Sequence, residues 1–191
     1  MFKKVLLLLA LFFFSSQSYA EEFKLKKIVN LNEPWGSSFV NDNELIITEK
    51  KGKIKLINIS TNEIFEVTHD LNFRVHGQGG LLDIIYKNNR LWISYTEERG
   101  DWKTSTSIAR ADFNKKNLSF KNIFQANPPI DSGYHFGSRL AIKDNYLYGS
   151  AGERGGDMIA QDPSKHPGSI IRIHLDGTIP KDNPKFIDKK E

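Results

Sequence analysis

The sequence predicts an all-β fold of the β-propeller class, and three observations carry that prediction. Short runs rich in β-branched and aromatic residues fill the chain, bounded by Asn, Asp, Gly or Lys, and few segments show a helical stripe. The runs recur in the same order along the chain. Each recurrence is preceded by a segment containing glycine.

Taken in order, the predicted strands are "ELIITEK", "GKIKLINI", "NEIFEV", "LLDIIY", "RLWISYT", "STSIARADF", "LSFKNIFQ", "RLAI", "YLYGSAG" and "SIIRIHL". The unit "NDNELIITEKKGKIKLI" has the layout of "KNNRLWISYTEERGDWKTSTSIARADF", and of "KDNYLYGSAGERGG" followed after an insertion by "GSIIRIHLDG". Each unit holds a polar turn, an inner strand ending in a small or hydroxyl residue, a glutamate, a loop with glycine, and a strand leaving the core. Leu45, Leu91 and Leu147 mark the repeat at intervals of 46 and 56 residues. Periods of this size, with one sheet per repeat, are the mark of a propeller. The preceding segments, "PWGSSFV", "GQGGLLDII" and "HFGSRLAI", then lie where inner strands begin, near one mouth of the central channel. At Gly36 close packing of strands is the favoured explanation. About three repeats are present, whereas closed propellers typically have at least four. The chain is therefore expected to be part of a longer propeller, or an open arc that pairs with a second chain or with itself.

The first 20 residues have two lysines, an apolar run from Val5 to Phe14 and a small-residue end at Ala20. This is the layout of a cleaved secretory signal peptide, too short to span a bilayer, and it implies a periplasmic or secreted protein. Residues 21–191 are then the mature partial propeller. No later stretch is long enough to cross a membrane, and without cysteine the exported protein relies on its hydrophobic core. The net charge of +4 falls to +2 once Lys3 and Lys4 are removed. What remains alternates in sign, as in "EKKGKIK", and reads as a solvated face rather than a nucleic-acid footprint.

Among the histidines, His69, His166 and His174 read as structural. His76 and His135 sit at corresponding places before successive inner strands. An imidazole there can serve as a general base near neutral pH, although a histidine between Tyr134 and Phe136 can equally be a packed side chain. There is no clustered zinc spacing and no Gly-x-Ser-x-Gly elbow. The loop "GERGGDMIAQDPSKHPG" offers acids and carbonyls of the kind calcium prefers, but without the alternation of an EF-hand.

Several segments together carry a resemblance: "LNEPWGSSFVNDNELIITEKKGKIKLI", "GQGGLLDI", "HFGSRLAIKDNYLYGSAGERG" and "AQDPSKHPGSIIRIHLDGTIPKDNP". In this order they resemble the soluble quinoprotein glucose/sorbosone dehydrogenases, or aldose sugar dehydrogenases. The resemblance implies the amino-terminal half of a six-bladed propeller using pyrroloquinoline quinone (PQQ) and calcium to oxidise the C1 hydroxyl of an aldose sugar to a lactone. It implies His135 as catalytic base, with Gln78 and Arg139 as cofactor-binding residues, Arg139 lying just behind the histidine. It also implies that most cofactor and calcium ligands lie beyond residue 191.

One departure concerns the base itself. Tyr134 stands where glucose-oxidising relatives carry an acid that orients the imidazole, so another group must position His135. Two alternatives accompany this reading. A non-catalytic propeller fragment binding a glycan or a protein would not need Gln78 and His135 to converge. A calcium-dependent hydrolase or lactonase would need acids and amides at the inner-strand starts, where Gly36, Gln78 and His135 stand instead.

Overall fold

The computed structural model describes residues 23–184; the proposed leader lies outside them. Three antiparallel sheets follow one another along the chain. The first contains β1 (Pro34–Asn41), β2 (Glu44–Glu49), β3 (Lys53–Asn58) and β4 (Ile64–His69). The second contains β5 (Leu81–Lys87), β6 (Arg90–Glu98), β7 (Thr104–Asp112) and, at its edge, β9 (Lys121–Gln125). The third contains β10 (Gly137–Lys143), β11 (Tyr146–Ala151) and β12 (Ser169–His174). This is the repeat read from the sequence, with one sheet to each unit.

The polar turns of the repeat are two-residue hairpins closing at the pairs Asn41 with Glu44, Lys87 with Arg90, and Lys143 with Tyr146. Asn88, Asn89 and Asp144 take left-handed backbone there, which Asn and Asp tolerate better than other side-chain-bearing residues. Two segments differ from expectation. "PWGSSFVN" is itself the inner strand β1, its alternation hidden by a register irregularity between Pro34 and Ser37. The run "LSFKNIFQ" is broken: Asn117–Leu118 forms β8, parallel to the end of β4, and only Lys121–Gln125 joins the second sheet.

The sheets stack face to face through two apolar layers. Ile46, Ile54, Leu56 and Val67 of the first sheet meet Leu81, Ile84, Leu91, Ile93 and Tyr95 of the second. Trp92 and Ile108, on the other face of the second sheet, meet Leu140, Leu147, Ile171 and Ile173 of the third. Period-two alternation explains how one strand serves both layers: Leu91 and Ile93 point one way, Trp92 the other.

A hydroxyl latch repeats with the sheets. Thr48, near the end of β2, donates to the Leu82 carbonyl on the next inner strand, and Ser94 of β6 donates to the Ser138 carbonyl at 2.6 Å. The third member at the same offset is Ser150 of β11. It lies on the face turned away from the second sheet, in line with Tyr146 and Tyr148 of the same strand and opposite Ile170, which is 73% exposed. Gly36 packs as expected: an added Cβ would lie 2.6 Å from the Asp83 Cα.

Candidate active site

All three inner strands start at the same end of the stack, where β2, β6 and β11 finish. The segments 76–80 and 132–137 meet at this end. Gly77 and Gly133 let the two backbones touch, since a Cβ on Gly77 would fall 2.4 Å from the Gly133 carbonyl oxygen. The Gln78 amide N–H donates to that same carbonyl at 2.8 Å. The Gln78 side chain then turns to His135, whose backbone N–H donates to Oε1 at 2.8 Å. The glutamine and the histidine predicted from sequence therefore do come together, through the histidine's backbone.

His135 takes left-handed backbone, φ 49°, an uncommon conformation for a residue with a side chain. Two close approaches hold it there. Gly152, at the end of β11, lies so near that a Cβ would stand 1.9 Å from the His135 carbonyl oxygen, and the Gly152 N–H donates to the Phe136 carbonyl at 3.1 Å. Gly137, at φ 70°, turns the chain straight into β10. The imidazole points outward and is 54% exposed.

Glu153 supplies the orienting acid. Its Oε1 accepts from Nδ1 of His135, and it also accepts the Gly155 N–H at 3.1 Å. With Nδ1–H committed to a carboxylate, the neutral imidazole keeps its lone pair on Nε2, in a side chain that is more than half exposed. The group that Tyr134 fails to provide thus comes from the loop after β11, 18 residues further along. Sequence reasoning missed this pairing, although a signal existed. Each repeat carries a glutamate at or just past the end of its second strand, and both earlier members also bind nearby segments: Glu49 accepts the Asn32 N–H, and Glu97 accepts from Ser107, Asn122 and Gln125.

The hydrogen bond from His135 is the main reason the Glu153 carboxyl titrates below the usual glutamate range. Because pairing lowers the folded-state value, its contribution is complete above the range of an unfolded glutamate and fades only as pH falls through the lowered value. The Nδ1–H resonance of His135 in an ¹⁵N-histidine spectrum is therefore expected to persist at pH 5. It should disappear only below the ordinary glutamate range.

Arg139 lies on β10, where its guanidinium donates to Asp83 Oδ1 at 3.3 Å while the side chain stays 73% exposed. Asp83 is buried and accepts the Leu140 N–H at 2.9 Å, joining the second and third inner strands. Arg139 thus stands two strand positions beyond Gly137, near the histidine segment but bonded to Asp83. Three other histidines have structural partners. His69 Nε2 is 2.9 Å from the Gly52 carbonyl, His166 Nδ1 accepts the Asn127 N–H at 2.9 Å, and His174 lies against Tyr146. His76 Nδ1 is buried at the mouth without a hydrogen-bond partner. Among the described residues, no cluster of three or more His, Asp or Glu side chains is arranged to hold a metal.

Comparison with known proteins decides which family this arrangement represents. The profile of the glucose/sorbosone dehydrogenases matches residues 31–191. The chain belongs to the glucose/sorbosone dehydrogenase family. It is 32% identical over 164 residues to the aldose sugar dehydrogenase YliI of Escherichia coli K12, covering 81% of this chain and 44% of that protein. It is 28% identical over 207 residues to quinoprotein glucose dehydrogenase B of Acinetobacter calcoaceticus, covering 90% of this chain and 43% of that protein. The apo crystal structure of the soluble E. coli aldose sugar dehydrogenase superposes with a TM-score of 0.77 at 30% identity, over 84% of this chain and 49% of that one. A PQQ-bound aldose sugar dehydrogenase from Streptomyces coelicolor shares the fold, with a TM-score of 0.75 at 23% identity. This member of the glucose/sorbosone dehydrogenase family spans about half the length of the relatives it matches. Its three sheets are β-propeller blades.

Proposed function

We propose that this chain supplies the base-bearing half of a quinoprotein aldose dehydrogenase, which oxidises the C1 hydroxyl of a sugar to a lactone. The observation that carries the reading is the His135–Glu153 pair: a half-exposed imidazole bonded through Nδ1 to a carboxylate, on a backbone that Gln78 holds through the His135 N–H. In this role Nε2 accepts the proton of the C1 hydroxyl while the C1 hydrogen departs with its electron pair. The carbonyl of the lactone forms as the O–H and C–H bonds break. Glu153 holds the imidazole in the tautomer that makes this transfer favourable and stabilises the imidazolium that results.

PQQ, when bound, supplies an electrophilic quinone carbonyl that accepts a hydride. The donors present suit one edge of such an anionic group: the Gln78 amide nitrogen and the exposed Arg139 guanidinium. Gln78 and Arg139 are the residues proposed to hold it. The described residues do not form a calcium site, and the proposed calcium ligands lie in further blades. Those blades stack on the open face of the third sheet, where Ser150 awaits the carbonyl that Thr48 and Ser94 already have. They come from more of the same polypeptide, a second chain or a second copy. Export to the periplasm follows from the leader, and no described helix is long and apolar enough to cross a membrane.

The test is a PQQ titration, followed by quinone absorbance, of the chain completed by its further blades. Gln78→Ala and Arg139→Ala are each expected to weaken PQQ binding about tenfold, as loss of a charge-assisted contact should. Unchanged affinity in both variants would remove these two residues from the cofactor site. A non-catalytic glycan-binding fragment would show no PQQ affinity at all.

A further inference from the structure

Arg154, the residue after Glu153, is 3% exposed. Among the described residues no carboxylate lies within ion-pair distance of its guanidinium. Instead Nε donates to the Tyr134 carbonyl at 3.0 Å, and Nη2 donates to the Ser132 carbonyl. On the other side Nη1 donates to the Thr104 carbonyl at 3.1 Å, and Nη2 to the Thr104 hydroxyl at 2.8 Å. The guanidinium plane also covers the Phe136 ring, with Cζ 3.6 Å from its centroid. Burial pushes its pKa down to about 10, so it remains charged at neutral pH.

A buried cation without an anion is costly, and it is kept where its donors are needed in a fixed geometry. The contacts of Arg154 say where that is. They fall on residues 132, 134 and 136, on both sides of His135, and on Thr104, the first residue of β7. Thr104 is itself paired by backbone with Ile130, so the segment is tied to the second sheet at two points. Neighbouring side chains therefore grip the strained His135 turn from opposite directions. Glu153 takes the imidazole, and Arg154 takes the backbone that carries it.

We propose that Arg154 is a positioning residue for the base: its fork on the Ser132 and Tyr134 carbonyls and its stacking on Phe136 keep His135 in the backbone conformation from which Nδ1 meets Glu153. Lysine cannot replace it, because one ammonium does not reach the carbonyls of two residues and Thr104 while lying flat on a ring. The proposal rests on the reading of His135 as the base, yet the coupling of His135 to Glu153 can be measured without quinone or sugar.

The experiment compares ¹⁵N-histidine spectra of the unaltered chain, Arg154→Met, Arg154→Lys and Glu153→Gln at neutral pH, with thermal melting to establish that each is folded. The unaltered protein is expected to show His135 fixed as the Nδ1–H tautomer. Arg154→Met should shift it to the exchanging mixture of a solvent-exposed imidazole, as Glu153→Gln does, with Arg154→Lys falling between them. If Arg154→Met does not fold, Arg154→Lys keeps the charge without the fork and decides alone. A folded Arg154 variant whose His135 signals match the unaltered protein would overturn the proposal. In the completed enzyme, Arg154→Lys is expected to lower kcat about ten- to a hundredfold with KM nearly unchanged. Absence of sugar oxidation with an intact tautomer effect would count against the dehydrogenase reading and leave the positioning role standing.

Discussion

His135→Asn, in the chain completed by its further blades and loaded with PQQ and calcium, is expected to lower kcat for aldose oxidation by about 10²- to 10⁴-fold, the usual range for loss of a general base. Asparagine is close in size to the first part of the imidazole, can keep a hydrogen bond to Glu153, and tolerates left-handed backbone better than most residues. The turn at φ 49° should therefore survive, and PQQ affinity with it. What is lost is Nε2, the ring nitrogen that Glu153 does not engage. Steady-state kinetics with a dye acceptor measure this, and quinone absorbance in the same samples shows whether the cofactor is still held. A rate within about threefold of the unaltered enzyme would remove His135 from the base role.

Gly152→Ala is expected to be the most damaging single methyl at the site. The added carbon would stand 1.9 Å from the carbonyl oxygen of His135 and 2.6 Å from its carbonyl carbon. Both are backbone atoms, so no side chain can swing aside. Relief requires the end of β11 to separate from the His135 turn, which breaks the hydrogen bond from Gly152 N–H to the Phe136 carbonyl. Overpacking of this kind costs about 1–3 kcal/mol, sometimes more, and urea denaturation should show it as a lower midpoint. The displacement also carries Glu153 away from Nδ1. The variant should thus lose the fixed tautomer of His135 as well as stability.

Much of this arrangement could be read from the residues. The repeat at Leu45, Leu91 and Leu147 corresponds to three sheets because each leucine is the second residue of a second strand that follows a two-residue turn, and turn chemistry is local. The meeting of Gln78 with His135 was legible because both lie in the segments that lead into successive inner strands, at the same mouth. Glu153 was not read as their partner, since a contact across 18 residues depends on how a loop folds back over an inner strand. The repeating glutamate was the available signal. Arg154 was still less visible: its partners are backbone carbonyls, which every residue has, so no side-chain pattern marks them. β1 went unlisted among the strands because its irregular register between Pro34 and Ser37 breaks the alternation that reveals a strand.

In the proposed reaction Nε2 of His135 takes a proton as hydride leaves C1 of an aldose. The most direct measurement is anaerobic stopped-flow of the PQQ-loaded, completed protein, mixed with an aldose carrying hydrogen or deuterium at C1. Sugar-dependent bleaching of the quinone absorbance is expected, slowed several-fold by deuterium and suppressed in His135→Asn. No bleaching with PQQ demonstrably bound, or bleaching at an equal rate in the histidine variant, would contradict the proposed reaction.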